Sequence, residues 1–209
     1  MMKDRNFQKE MDRLIEWLCE EERVPTLLLH SCCAPCSSYV LEYLSKYFSI
    51  NVLYYNPNIS NKEEYKLRLA EQQKLIESMD FVNPVTFTAG DYDVSSFFEI
   101  AKGLENCEER GERCHRCYRL RLEYTAKKAK ETGADFFATT LTLSPLKDAK
   151  VLNAIGEELA AEYGVRYLAS DFKKREGYKR SLQLSKEYSL YRQSFCGCVY
   201  SRVNSKKEE

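Results

Sequence analysis

Glycine is scarce in this sequence: there are eight in 209 residues, and none before Gly90. A loop that cradles phosphates after a first strand needs glycines, because a backbone free of Cβ atoms can approach the phosphate oxygens. Their absence argues against a nucleotide loop in the first part of the chain. An excess of one charge is lacking too, with 32 basic against 32 acidic residues, which argues against indiscriminate binding to nucleic acid. No run approaches the roughly 20 apolar residues of a membrane span. Met1-Met2-Lys3-Asp4-Arg5 leads into a charged stretch rather than an apolar signal core. A cytoplasmic protein without membrane contact is the expectation. No internal repeat, low-complexity segment or linker is evident.

What the sequence has in quantity is cysteine. Nine are present, an odd number that cannot pair completely within one molecule, and disulfides are rare in the cytoplasm. Metal or redox chemistry is the leading explanation. With 44% hydrophobic residues in 209, the chain has material for one sizeable core. A single domain over 1–209 is expected, with an opening helix at 5–22, a core at 25–189 and a cysteine-containing tail at 190–209.

Hydrophobic spacing divides the chain into alternating elements. Phe7, Met11, Leu14, Ile15 and Leu18 recur at the interval of one helical face, and the helix they predict ends before Pro25. Residues 26–30 form a short apolar run of buried-strand length, followed by a cysteine-rich turn and a helix through Val40, Leu41 and Leu44. Further strands are predicted at 50–55, 85–88, 136–139 and 165–169, and helices at 62–79, 95–102, 118–131, 147–163 and 173–188. Such alternation implies an α/β fold, a parallel sheet of about five strands with helices on both faces, because each crossover must lie over the sheet to return the chain. Ligands in such sheets bind beyond the carboxyl ends of the strands.

The cysteines fall at that edge. Cys32, Cys33 and Cys36 follow the first strand, Cys114 and Cys117 open a helix, and Cys196 and Cys198 lie in the tail. A helix N-terminus stabilises thiolate through its free N–H groups and dipole, and thiolate is the form that binds metal. Cys114 and Cys117 present both sulfurs on one side of a helical turn. With the adjacent Cys32 and Cys33 they make a four-thiolate set. Ligand type alone leaves zinc and an iron–sulfur cluster both open. Structural zinc usually takes two separated C-x2-C pairs, whereas one pair here is adjacent and suits a broader cluster. Cys36 is a candidate ligand for a second metal. Asp91, after the third strand, is expected at the same edge, and a carboxylate with a thiolate suits an iron that keeps open positions. The other reading of Asp91 is an N-cap of the following helix.

Cys196-Gly197-Cys198 is a different device. A disulfide between residues two apart closes a very small, strained ring, which makes it easily reduced, and Gly197 supplies the backbone freedom of the turn. A reversible dithiol pair is one reading and two further metal ligands the other. Cys19 reads as core packing and Cys107 as a loop residue. His30, on a buried strand, reads as a hydrogen-bonded core residue, and His115 is expected to point away from the cysteines beside it. Two segments are strongly basic: 110–130 holds eight basic and two acidic residues, and 173–192 holds seven and two. Each is either a solvated helix face or a nucleic-acid surface.

With these residues in place, the chain resembles the QueH family of epoxyqueuosine reductases. The resemblance is carried by His30-Ser31-Cys32-Cys33-Ala34-Pro35-Cys36, Tyr55-Asn56-Pro57-Asn58-Ile59, Cys114-His115-Arg116-Cys117-Tyr118 and Tyr191-Arg192-Gln193-Ser194-Phe195-Cys196-Gly197-Cys198. It implies an oxidoreductase that turns epoxyqueuosine into queuosine at the wobble position of tRNA. It also implies a 4Fe–4S cluster on Cys32, Cys33, Cys114 and Cys117, a redox-active pair at Cys196 and Cys198, and an external electron donor. The family is similar in fold to the adenine nucleotide alpha-hydrolase-like (HUP) enzymes, so an ATP-dependent tRNA sulfur transferase is the main rival, opposed by the missing glycines. A zinc-stabilised RNA-binding module is a third reading, opposed by the strained cysteine pair. For a tRNA substrate, Tyr55 is the candidate for stacking on the base, with Tyr92, Tyr118, Tyr178 and Tyr191 behind it, and Lys173, Lys174 and Arg175 are the candidate phosphate contacts.

Overall fold

The structure is a computed structural model and describes residues 5–201; residues 202–209 of the expected tail lie outside the described residues. Helix α1 (Phe7–Glu20) is capped by Asn6, whose side chain accepts from the Lys9 N–H. It leads into β1 (Thr26–His30), and the chain then alternates: α2 (Ala34–Leu44), β2 (Ser49–Tyr54), α3 (Lys62–Ser78), β3 (Val85–Ala89), α4 (Val94–Ala101), α5 (Glu112–Thr132), β4 (Phe136–Thr139), α6 (Ala149–Tyr163), β5 (Arg166–Tyr167) and α7 (Gly177–Glu187). A 3₁₀ turn, Thr140–Leu143, follows β4.

The five strands form one sheet in the order β3-β2-β1-β4-β5, and every pair is parallel. The expected α/β architecture is the observed one. Alternate residues of each strand serve opposite faces. Leu27 and Leu29 of β1, Ile50 and Val52 of β2, and Phe136 and Ala138 of β4 pack with α1 and α2, through Met11, Leu18, Val40, Leu41 and Leu44. Leu28, Leu53 and Phe137 point the other way, onto Tyr118, Leu122, Ala126 and Ala129 of α5 and Leu152, Ile155 and Leu159 of α6.

Two elements differ from the sequence reading. Helix α5 begins six residues before the predicted 118, so Cys114 and Cys117 sit in its first two turns. Strand β5 is only two residues long where five were predicted. Tyr167 of β5 lays its ring across α6, and a Cβ built on Gly156 would stand 2.4 Å from it. Gly156→Ala is therefore expected to destabilise the fold by about 1–2 kcal/mol, since overpacking costs more than the roughly 1 kcal/mol of helix propensity it gains. Urea unfolding checks this; an unchanged midpoint would mean that the Tyr167 ring moves aside freely.

Candidate metal and redox site

The strand order creates one crevice. From β1 the chain moves outward through β2 and β3, then returns to β4 on the other side of β1, so the loops leaving β1 and β4 diverge and open a space between them. His30 and Thr139 end these two strands side by side. His30 Nδ1 pairs with Thr139 Oγ1 at 2.9 Å and Nε2 with the Tyr55 carbonyl at 3.1 Å. Burial, together with the nearby Arg121 charge, pushes the imidazole down to about 3, so it stays neutral. It is the hydrogen-bonded core residue expected from sequence.

The cysteine turn grows directly from this pair. The Cys32 N–H donates to Thr140 Oγ1 at 3.3 Å, and that hydroxyl lies 3.5 Å from Cys32 Sγ. Ser31 and Ser37 hydroxyls converge on Gln72 Oε1 of α3 at 2.6 and 2.8 Å, and Asn56 Nδ2 donates to the Ser31 carbonyl at 2.8 Å. Pro35 lies in the first turn of α2, and Cys33, its N-cap, makes no side-chain cap bond. The free N–H end of α2 thus faces three sulfurs, those of Cys32, Cys33 and Cys36, which lie within 4.8 Å of one another. Cys32 and Cys33 Sγ are 3.7 Å apart. Hydrogen bonds from Cys32 and Cys36 pull the Cys33 thiol well below its ordinary value, while Cys33 holds Cys32 up and Cys32 and Cys33 together hold Cys36 up.

A cavity of about 480 Å³ opens over this triad and is lined also by Cys196, Arg121, Lys147 and Asn58. A second, much smaller one adjoins it, lined by Cys114, Cys117, Cys196 and Cys198 together with the same Arg121, Lys147 and Asn58. Cys196 thus belongs to both. Cys117 is buried, which raises its thiol, and the backbone N–H of Arg110 lies 3.3 Å from Cys114 Sγ.

The tail that carries Cys196 and Cys198 is clasped onto the sheet edge rather than appended to it. Arg68 of α3, with only 2% of its side chain exposed, pairs with Glu64 at 2.6 Å and donates to the carbonyls of Cys196 at 3.1 Å and Phe195 at 3.3 Å. Tyr191 binds the same Glu64 at 3.2 Å. Gly197 has φ +107, and a Cβ there would meet Ile59 at 2.9 Å, so this turn accepts only glycine. The two sulfurs are unlike. Cys198 and the cations Lys147 and Arg121 draw the Cys196 thiol well down against its burial, with Lys147 Nζ 3.5 Å away, whereas Cys198 is driven up by Cys196 and by burial.

The residues read from sequence divide accordingly. Cys32, Cys33, Cys36, Cys114, Cys117, Cys196 and Cys198 converge on the two cavities. Cys19 is exposed near the end of α1 rather than packed in the core. Asp91 is not brought to Cys36: it is exposed, lines neither cavity, and its charge acts on Tyr55, Tyr65 and Lys128 instead. The N-cap of α4 is Asp93, because the strand ends at Ala89 and four residues intervene before the helix. Tyr55 is buried and its ring is stacked on Tyr124 at 3.8 Å, so its face is taken. Lys173 pairs with Asp171 at 2.9 Å and Arg175 with Asp12 at 2.7 Å, and with Lys174 they stand outside the cavity lining. The rim is formed instead by Arg110, Arg192 and Tyr178, all exposed. Arg68, Arg121 and Lys147 were not singled out from sequence. Arg121 follows Cys117 by one helical turn, a spacing that places both on one face; Lys147 has no local signal.

With this geometry in place, the comparisons with known proteins are decisive. The sequence profile described as "Epoxyqueuosine reductase QueH" matches residues 27–204. The chain belongs to the QueH family. A relative named epoxyqueuosine reductase QueH from Staphylococcus epidermidis is 42% identical over 205 residues, covering 95% of this chain and 85% of that protein. Its namesake from Streptococcus pyogenes is 40% identical, covering 94% and 78%, and that from Thermotoga maritima 31%, covering 88% and 93%. Among solved structures, the NMN synthetase of Francisella tularensis is 12% identical with a TM-score of 0.44, covering 98% of this chain and 87% of that one. A QueH-family oxidoreductase calls for a redox metal centre, and the donor set fits one. Thiolates supply negative charge, and Arg121, fully buried beside them, has an Nη2 group with no hydrogen-bond partner among the described residues. A buried guanidinium nitrogen of this kind calls for an acceptor in the adjoining space, and an anionic centre would supply one.

Proposed function

We propose that this chain is an epoxyqueuosine reductase, acting on tRNA and restored by an external electron donor. In this reading Cys32, Cys33, Cys114 and Cys117 hold a 4Fe–4S cluster, and Cys196 and Cys198 are a redox-active pair. The reading is carried by one observation, the convergence of these cysteines from three distant segments on two adjoining cavities at the sheet's switch point. Cys36 remains as a candidate ligand of a second, mononuclear iron, without Asp91.

The reaction breaks both C–O bonds of an epoxide, forms a C=C bond and releases the oxygen as water, at a cost of two electrons and two protons. An iron–sulfur cluster, when bound, supplies electrons singly. Oxidation of the Cys196 and Cys198 thiols to a disulfide releases two electrons and two protons, so dithiol plus epoxide balances disulfide, alkene and water, and the donor must then reduce the disulfide. Lys147 holds a proton at Nζ on the cavity wall. Burial alone would lower its affinity for that proton, but the Cys196 sulfur and Tyr118 outweigh burial and raise it. In this reading Lys147 is the charged hydrogen-bond donor that stabilises negative charge developing on the epoxide oxygen. Arg68 and Gly197 keep Cys196 at the boundary of the two cavities.

The substrate nucleotide lies in a loop, where a base can be splayed out into a pocket. Arg110 and Arg192 at the rim are the phosphate contacts in this reading, and Tyr178 is the stacking surface. Replacing Arg110 and Arg192 together by Gln is expected to weaken tRNA binding and reduce the slope of log K against log salt by about 2, as two counterion-releasing contacts are lost. Neutralising Lys173, Lys174 and Arg175 is expected to leave that slope closer to the parent's. The reverse ranking in filter binding across a salt series would move the RNA surface to the 173–175 loop.

The direct test is anaerobic incubation of the iron-loaded protein with epoxyqueuosine-containing tRNA and a strong reductant, followed by mass spectrometry of the nucleosides. Queuosine should replace epoxyqueuosine. A colourless protein that binds only zinc and leaves the epoxide intact would end the reductase reading.

A further inference from the structure

Arg121 is among the largest fully buried side chains of the protein, 2% exposed, and it stands between the two cavities. Beyond a distant approach to the face of the Tyr118 ring, 5.9 Å from its centre, its contacts offer nothing to balance its charge. Nε donates to the Cys117 carbonyl at 3.2 Å and Nη1 reaches Asn56 Oδ1 at 3.5 Å, both neutral groups, and Nη2 has no partner. Among the described residues no carboxylate lies within ion-pair distance. The groups whose negative charge would act on it are the sulfurs of Cys117, Cys196 and Cys32, in that order, and the Tyr118 hydroxyl.

A side chain kept only to fill this space would be better served by Met or Leu, because a buried guanidinium without an anion carries a large desolvation cost. The charge has a use only if the space beside it holds negative charge. Resting on the reading that Cys32, Cys33, Cys114 and Cys117 hold a 4Fe–4S cluster, we infer that Arg121 is a positioning residue for electron transfer: its guanidinium sets the reduction potential of that centre. A cluster held by four thiolates is anionic, and reduction adds one more negative charge. A fixed cation on the wall of both cavities, with an N–H group left without a partner, stabilises the reduced form more than the oxidised one, and nearby charge and hydrogen bonds are among the main determinants of cluster potential. The same guanidinium faces Cys196, so one residue electrostatically links the cluster to the redox pair.

The test is an EPR-monitored potentiometric titration with dithionite on anaerobically reconstituted wild type, Arg121→Gln and Arg121→Lys, each assayed for iron and sulfide. At an ambient potential equal to the wild-type midpoint, Arg121→Gln should show at least a tenfold lower ratio of reduced to oxidised cluster, which for a one-electron couple is about 59 mV. Arg121→Lys, which keeps the charge, should recover at least half of that shift. A fully loaded Arg121→Gln with the wild-type midpoint overturns the inference and leaves the reductase reading standing. If Arg121→Gln does not load, Arg121→Lys decides: loading there supports a need for charge beside the anionic centre, and failure there too shows a purely structural role and overturns it. Wild-type protein that takes up no iron or sulfide removes the reductase reading and the inference together.

Discussion

Cys114→Ala, reconstituted anaerobically with iron and sulfide, is expected to lose most of its cluster and at least about a hundredfold in activity, since loss of a mere outer-shell partner of a metal already costs 10–100-fold. The same is expected for Cys32→Ala, Cys33→Ala and Cys117→Ala. The argument for the four-sulfur set is that Cys114 and Cys117, in the first two turns of α5, line the smaller cavity while Cys32 and Cys33 line the larger one beside it, and that Arg121, Lys147 and Cys196 form walls of both. The rival arrangement is the compact triad of Cys32, Cys33 and Cys36, whose sulfurs all lie within 4.8 Å and suit a single ion. The two separate cleanly. If Cys36→Ala loses all metal while Cys114→Ala keeps it, the centre is the triad and the four-sulfur assignment is wrong. Cys19→Ala, exposed near the end of α1, should change neither metal content nor rate and controls for loss of a thiol as such.

Cys196→Ser and Cys198→Ser are each expected to keep the cluster and to fall to the level of the protein-free control in multiple turnover. Cys196 lines both cavities, beside Cys32 and Cys33 in the larger one and beside Cys114 and Cys117 in the smaller. Lys147 at 3.5 Å favours its thiolate, the form that exchanges with a disulfide or an external dithiol, while the more enclosed Cys198 holds its proton. Arg68 fixes the backbone on either side of the Cys196 peptide, so removing one sulfur should not release the tail. Iron and turnover measured in the same samples test this. A parallel loss of iron would make the two sulfurs metal ligands, and full turnover in both variants would deny the pair any part in the reaction.

Sequence reading and structure agree best where the signal is local. The strand 26–30 agrees to the residue, because three consecutive leucines flanked by Thr26 and His30, between Pro25 and a polar turn, are self-sufficient evidence. The reading of His30 as a hydrogen-bonded core residue followed from its place on that strand and is met by its two hydrogen bonds. Disagreement begins where a partner distant in sequence decides. Tyr55, just after β2, is exposed or buried according to whether Tyr124 of α5 covers its ring. Lys173 and Arg175 are free or paired according to where Asp171 and Asp12 fall. Asp91, expected at the site by counting from β3, is exposed and lines neither cavity.

The sequence by itself determined the chemistry: which residues bear sulfur, that no glycine loop competes for the end of β1, and that Cys196 and Cys198 are one flexible residue apart. Those are properties of residue type and short spacing, which the chain carries into any fold. Tertiary structure alone decided that the three cysteine groups meet. The strand order 3-2-1-4-5 brings the end of β1 against β4, and α5, packed on that face, lays Cys117 and Arg121 along the same crevice. It also decided that Arg68 would spend its charge on holding the tail, and that Arg121 would be buried with one nitrogen unanswered. Burial and long-range partners set the energy of a charge, and neither is written in its neighbours along the chain.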